Sequence, residues 1–262
     1  MVRQYMEFNF DTVAISKSGI HMYRQCPKRF EYMVVKDMGF KDTDLPEAMV
    51  VGTEFHDAAE LIYDQIDKEA ILRGDISVVD EYSKYMEYTE HRKNFIDMEQ
   101  RRFDSLGGVG KVDEFFFPLH RELYMEDKEL NFYGTLDRID KMPDGEYVVI
   151  DYKVSKYPKH QSAFSKYRLE LAGYAHLAYA CGIVDKPVKY IGIMFMKDDD
   201  EGGHGGMFFE KLKETSINAF HRNLKKVQEG ARNRIFDAKP GWGCQWCPYE
   251  RVCIVDEAQQ VK

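Results

Sequence analysis

Apolar positions recur first at helical and then at strand spacing, and the change from one to the other organises the chain. Residues 16–35 place Ile20, Tyr23, Phe30 and Val34 behind Ser16 and Ser18, either of which can cap a helix. Pro27 should interrupt that helix at Cys26, because proline lacks an N–H and clashes with the preceding turn. KDTDLPEAMVV reads as a loop, and a second helix is expected from about Gly52 with Phe55, Ala59, Ile62 and Ile66 on one face. Residues 67–106 are polar and poor in Gly and Pro, which predicts an inserted helical segment ended by GGVG at 107–110.

Strand patterns follow. VDEFFFPL, LNFYGTLDRIDKM and EYVVIDYKV are rich in aromatic and β-branched residues, with a turn at Pro143, Asp144 and Gly145. A helix is expected over 165–182, with Leu171, Tyr174, Ala178 and Cys181 at helical spacing and Cys181 in the core. KYIGIMFM and MFFEKL read as two strands joined by an acidic, glycine-rich loop. Ser216 should cap a last helix carrying Ile217, Phe220, Leu224 and Val227, closed by Gly230. No repeat or low-complexity linker divides the 262 residues, so one mixed α/β domain spanning 1–262 is expected.

Composition narrows the class. Apolar content of 44% and charged content of 31% are those of a water-exposed globular fold, and no apolar run is long enough to span a membrane. The first residues lack the pattern of a secretory signal, so a cytoplasmic protein is expected. The net charge of −8 weighs against nucleic acid, but its distribution is uneven. Lys153, Lys156, Lys159, Lys166 and Arg168, with His160, form a basic run without any acidic residue. A second basic stretch, residues 221–234, reads as a solvated helix face.

Two constellations carry chemistry. Cys244, Cys247 and Cys253 form a C-x2-C-x5-C array in residues 240–256, and Cys26 lies near the other end of the chain. Four thiolates can hold a tetrahedral zinc ion or an iron–sulfur cluster, and such a site would tie the two ends together. Trp242, Trp246, Pro248 and Tyr249 stand ready to shield it. The second constellation is a hairpin. If its turn is centred on Asp144, Asp137 lies opposite Asp151, with Cβ atoms about 4.5–5.5 Å apart. Carboxylates that close repel unless a cation separates them. Lys153, two residues beyond Asp151, emerges on the same face. Carboxylates holding Mg²⁺ or Mn²⁺ polarise a phosphoryl oxygen and acidify water, and a neighbouring lysine can orient that water.

The motifs G-x-x-x-H (Gly52 to His56), G-x-x-D-R-I-D (Gly134 to Asp140) and I-D-Y-K (Ile150 to Lys153) resemble the RecB-type branch of the PD-(D/E)xK nuclease superfamily. Within the cysteine frame, the chain resembles the iron–sulfur exonucleases of that branch: the CRISPR-adaptation exonucleases, the AddB nuclease domain and phage-encoded relatives. The resemblance implies a restriction-endonuclease-like core, a central mixed sheet flanked by helices, and an iron–sulfur staple joining the N- and C-terminal regions. It makes His56, Asp137 and Asp151 ligands of the catalytic ion, helped by the Tyr152 carbonyl, and sets Lys153 on the attacking water. It also favours a [4Fe–4S] cluster over Zn²⁺ at the cysteines. Glu60, one turn from His56, is expected to support it, and Glu114 to assist.

Such nucleases usually carry Q-x-x-x-Y in the next helix; here Glu170 and Tyr174 stand at those positions, and Tyr174 is either a base-stacking residue or a core aromatic. The implied substrate is DNA, as single strands or strand ends. Lys156, Lys159, Lys166 and Arg168 would line the channel, in a prokaryotic cell or phage-infected host. Recombination, replication or CRISPR-adaptation proteins are the implied partners. A nuclease-inactive DNA-binding subunit and a zinc-stapled interaction protein are the competing classes.

Overall fold

The computed structural model describes residues 8–39, 47–107, 111–156, 164–165, 167–198 and 205–260. Two compact units emerge, one from residues 1–45, 126–134 and 219–262, the other from 46–125 and 135–218.

The first unit opens with a two-residue strand, β1 (Ile15–Ser16), which pairs in parallel with the start of strand β3 (Phe132–Lys141) through Ile15 to Phe132 and Ser16 to Tyr133. Helix α1 (Lys17–Gln25) follows, capped by Ser16, whose Oγ accepts the Gly19 N–H at 3.1 Å. Pro27 ends α1 as expected and occupies the first turn of α2 (Pro27–Phe30), where its missing N–H costs nothing. One π-helical segment (Glu31–Val35) continues it. Helix α9 (Glu214–Arg232) enters this unit at Ala219, and a 3₁₀ turn (Trp242–Trp246) and α10 (Glu250–Gln260) complete it. Side-chain bonds join the N- and C-terminal segments: Tyr23 donates to the Ile235 carbonyl and Tyr32 to Asp256, each at 2.7 Å.

Gly230 does not close α9; it lies inside the helix because Tyr23 needs the space. A Cβ there would stand 1.9 Å from the Tyr23 hydroxyl oxygen. Tyr23 is buried, packed edge-on against Phe30 and held by its bond to Ile235, so it has little room to yield. Helix propensity alone favours alanine by about 1 kcal/mol. Gly230→Ala should nonetheless destabilise by about 1–3 kcal/mol, read from the urea midpoint, because overpacking outweighs propensity.

The second unit holds α3 (Glu47–Gln65), α4 (Lys68–Leu72), α5 (Val78–Tyr82), α6 (Thr89–Ser105) and α7 (Val112–Phe115). Strands β2 (His120–Asp127) and β3 (Phe132–Lys141), whose residues 126–127 and 132–134 belong to the first unit, and β4 (Tyr147–Lys156) follow, then α8 (Arg168–Ala180), β5 (Tyr190–Lys197) and β6 (Gly206–Lys211). Within this unit the strand order is β3-β4-β5-β6, with β2 also on β3. β3–β4 and β5–β6 are antiparallel and β4–β5 is parallel, so the sheet is mixed.

Alternation along β4 explains the layers. Val148, Ile150 and Tyr152 join Met194 and Met196 of β5 in a core with Phe55, Ile62, Phe95 and Met98 of α3 and α6. The segment 67–106 is helical, and α6 lies on the sheet, with Asn94 donating to the Met196 carbonyl at 3.0 Å.

Besides Gly230, four expectations are corrected. Ser216 lies inside α9, which begins at Glu214, and so does not cap it. Residues 47–51 belong to α3 rather than to a loop. VDEFFFPL is no strand: Val112 and Phe116 are both buried at i, i+4 spacing, and the Phe116 N–H bonds the Val112 carbonyl, so the aromatic run forms a helical turn. Cys181 is half-buried just past the end of α8 rather than inside the core.

Candidate active site

The β3–β4 hairpin has the expected centre. Arg138 pairs with Ile150, Ile139 with Val149 and Asp140 with Val148, a register symmetric about residue 144. Gly145 supplies the positive φ of the turn, at 77°. Asp137 and Asp151 lie one residue beyond the last of these pairs, and the Tyr152 N–H donates to Asp137 Oδ2 at 2.7 Å. Both carboxylates are buried, Asp137 at 7% exposure and Asp151 at 1%.

Helix α3 delivers His56 to this pair. Its Nδ1 lies 3.0 Å from Glu122 Oε1 and 3.7 Å from Asp137 Oδ2. Ligand atoms of His56, Glu122 and Asp137 all fall within 4.8 Å of one another. Burial works against a charge on the imidazole, but the bond to Glu122 and the charges of Asp137 and Asp151 outweigh it and raise the His56 pKa. A divalent ion at this point would replace that proton and take the imidazole in its neutral form. Two carboxylates and one imidazole at this separation are a donor set for a hard to borderline cation, with Mn²⁺ bound more tightly than Mg²⁺.

Glu122 was not foreseen. It sits on β2 at a φ of 39°, a left-handed conformation that is sterically costly for a glutamate. The expected support, Glu60, makes no hydrogen bond or ion pair among the described residues; Glu122 takes that place on the His56 ring. Glu122→Gln should weaken Mn²⁺ binding by about 10–100-fold in a calorimetric titration, the range for losing a carboxylate partner of a ligating histidine. Glu60→Gln should leave it within about twofold.

Lys153 lies beside this group. Its ammonium pairs with Asp151 Oδ2 and stands 3.4 Å from Glu170 Oε1, in the first turn of α8. Glu170 thus steadies the lysine from the opposite side, something a glutamine could do only without charge. Tyr174, 3% exposed, is packed in the core of α8, which leaves no face for a base.

Other candidates lie elsewhere. Glu114 on α7 pairs with Lys141, four residues along β3 from Asp137 and so about 13 Å away along the strand. Arg168 is held by Glu210, with Nη2 to Oε2 at 2.7 Å, so its charge is already matched. Lys156 is exposed at the end of β4. Lys159, Lys166 and His160 lie outside the described residues.

Cys26, Cys244, Cys247 and Cys253 line one cavity of about 210 Å³ in the first unit. Cys26 comes from the break between α1 and α2, Cys244 from the 3₁₀ turn, Cys247 from the residue just after it and Cys253 from α10. Tyr249 is buried beside them, and Trp242 and Trp246, 83% and 75% exposed, line an adjoining cavity with Cys26, Cys244 and Cys247.

A histidine on α3 and acidic groups on a mixed sheet, with a lysine alongside, are a set that could hold a divalent cation. The family model of the PD-(D/E)XK nuclease superfamily matches residues 14–254, and the chain belongs to that superfamily, whose nucleases work with divalent metals. Its fold is similar to that of a candidate exonuclease from Eubacterium rectale, with a TM-score of 0.52 and 9% identity over 96% of this chain and 92% of that one. SSO0001 is a more distant match, with a TM-score of 0.42 and 11% identity over 91% of this chain and 84% of that one. Among curated proteins none matches the sequence. No helix among the described residues is long and apolar enough to cross a membrane.

Proposed function

We propose that the chain is a divalent-metal-dependent deoxyribonuclease of the RecB type, acting exonucleolytically on single-stranded DNA or strand ends. The observation that carries this reading is the convergence of His56, Glu122 and Asp137 within 4.8 Å, with the Asp151–Lys153 pair at the neighbouring strand position. A bound Mn²⁺ or Mg²⁺ supplies positive charge to the attacked phosphodiester and acidifies water. The protein's own part is positional. Asp137, Asp151, Glu122 and His56 hold the ion, and the Tyr152 N–H fixes the Asp137 carboxylate. Lys153, steadied by Asp151 and Glu170, presents a proton donor to the attacking water or the phosphate oxygens. In this reading residues 1–262 serve a single nuclease, with 240–256 as its cysteine segment.

For the cysteines we favour a [4Fe–4S] cluster over zinc. Zinc–sulfur bonds of about 2.3 Å would gather four thiolates to about 3.8 Å from one another. The donor group within 4.8 Å among the described residues contains no cysteine, whereas all four line a cavity of about 210 Å³, room for a polynuclear group. The test is anaerobic purification with iron, sulfide and zinc analysis, followed by incubation of end-labelled DNA with Mn²⁺, Mg²⁺ or chelator. Stepwise shortening of the label with Mn²⁺ and none with chelator is expected. Intact DNA under all three conditions would remove the catalytic reading, and stoichiometric zinc would remove the cluster.

A further inference from the structure

The chain has two tryptophans, and the chemistry above uses neither. Trp242 and Trp246 open and close one 3₁₀ turn and are 83% and 75% exposed. Indoles bury well and are rarely left in water without a partner, so two on one turn mark a binding surface. Both line a cavity of about 450 Å³ together with Gln25, Arg29 and Lys239 and with Cys26, Cys244 and Cys247, so it adjoins the cysteine site, and no carboxylate lines it. Lys239 spends one proton on the Arg24 carbonyl at 3.0 Å, and Arg29 Nε is buried without a hydrogen-bond partner. Neither cation has an ion-pair partner among the described residues. Two flat aromatic faces beside two unmatched positive charges suit a ligand that offers both π-faces and anions.

We infer that Trp242 and Trp246 form a stacking platform for the bases of single-stranded DNA, with Arg29 and Lys239 taking the adjacent phosphates. This rests on the nuclease reading for its choice of polymer, and it adds a binding site for the strand in the cysteine-bearing unit. Single strands are selected because duplex bases are already stacked on one another and offer no free face. A protein partner could also use tryptophan and arginine as anchors. The absence of any acidic residue in the cavity lining favours a polyanion instead.

The two indoles are the whole tryptophan signal of the chain, so intrinsic fluorescence reports this patch alone. The full-length protein, in chelator to prevent cleavage, is titrated with a fluorescein-labelled oligothymidylate followed by anisotropy, and with the unlabelled oligomer followed by tryptophan emission. Saturable quenching is expected, with weaker binding of a blunt duplex. Trp242→Ala and Trp246→Ala should each weaken binding by about fivefold or more, the effect of losing one stacked base. Each Trp→Phe variant should stay within about threefold. Circular dichroism and hydrolysis of a small phosphodiester should be unchanged in all four.

Binding seen by anisotropy without quenching, or unaffected by the alanine variants, would overturn the platform and leave the nuclease reading standing. Failure to bind any DNA, together with failure to cleave it, would remove both. Tryptophan-dependent self-association in sedimentation, with DNA affinity unchanged in the variants, would assign the patch to a second copy of the chain and overturn the proposal.

Discussion

Asp137→Asn should abolish both Mn²⁺ binding and DNA cleavage, lowering the rate by about 10²–10³-fold or more, whereas Lys153→Ala should abolish cleavage alone. Asparagine has nearly the shape of aspartate, so the fold has no reason to fail. What changes is the donor. Asp137 Oδ2 accepts the Tyr152 N–H at 2.7 Å and lies 3.7 Å from His56 Nδ1, and a neutral amide there halves the carboxylate charge shared with Glu122. Lys153 has a different position. It pairs with Asp151 and approaches Glu170, so its loss removes a proton donor and leaves His56, Glu122 and Asp137 in place. Calorimetric Mn²⁺ titration beside initial rates on end-labelled single strands separates the two. An Asp137→Asn protein that cleaves within tenfold of the parent, or a Lys153→Ala protein that no longer binds Mn²⁺, would contradict the assignment.

Much of this site is legible in the sequence because strand alternation and turn chemistry are local. Pro143-Asp144-Gly145 fixes the hairpin centre, and the period of two then sends Asp137, Asp151 and Lys153 one way and Arg138 and Tyr152 the other. Glu122 is not legible for the opposite reason. Its strand, HRELYMED, buries only Met125, so neither alternation nor an apolar run distinguishes it from a loop. The 39° φ that aims Glu122 at His56 has no sequence signal, since glutamate does not advertise a left-handed backbone. Aromatic residues misled in two places. FFFP resembles a strand by propensity, yet Val112 and Phe116 bury at helical spacing. Trp242 and Trp246, expected as a cover for the cysteines, are largely exposed to solvent. Propensity reports what a side chain favours on average; burial depends on which neighbours the fold supplies.

Alternation has a second consequence, on the opposite face of the hairpin, where Glu99→Ala should destabilise the protein by about 3–5 kcal/mol. Arg138, fully buried, donates from Nε to Asp140 at 2.8 Å, and its Nη1, with two protons to give, lies 2.9 Å from Glu99, 2.6 Å from the Tyr63 hydroxyl and 3.1 Å from the Tyr152 hydroxyl. Arg102 pairs with Glu99 and reaches Asp140 at 3.0 Å, so two cations face two anions. Burial opposes the charge on Arg138, while Asp140 and Glu99 outweigh it and hold its pKa above the ordinary value. Burial also pushes the Tyr152 hydroxyl up to about 12, against the pull of Arg138, so it stays a neutral member of the set. Removing Glu99 leaves a net positive charge with no water to solvate it, which in a chain of this size corresponds to a drop of about 6–20 °C in melting temperature. Adding Arg102→Met to Glu99→Ala restores one cation to one anion, so the double variant should lose less than the sum of the single losses. Below its melting temperature, Glu99→Ala should cleave DNA within about tenfold of the parent, because its side chain serves the face that carries none of the proposed ion ligands. Additive losses in the double variant, or a Glu99→Ala protein as stable as the parent, would show that the four charges are not coupled.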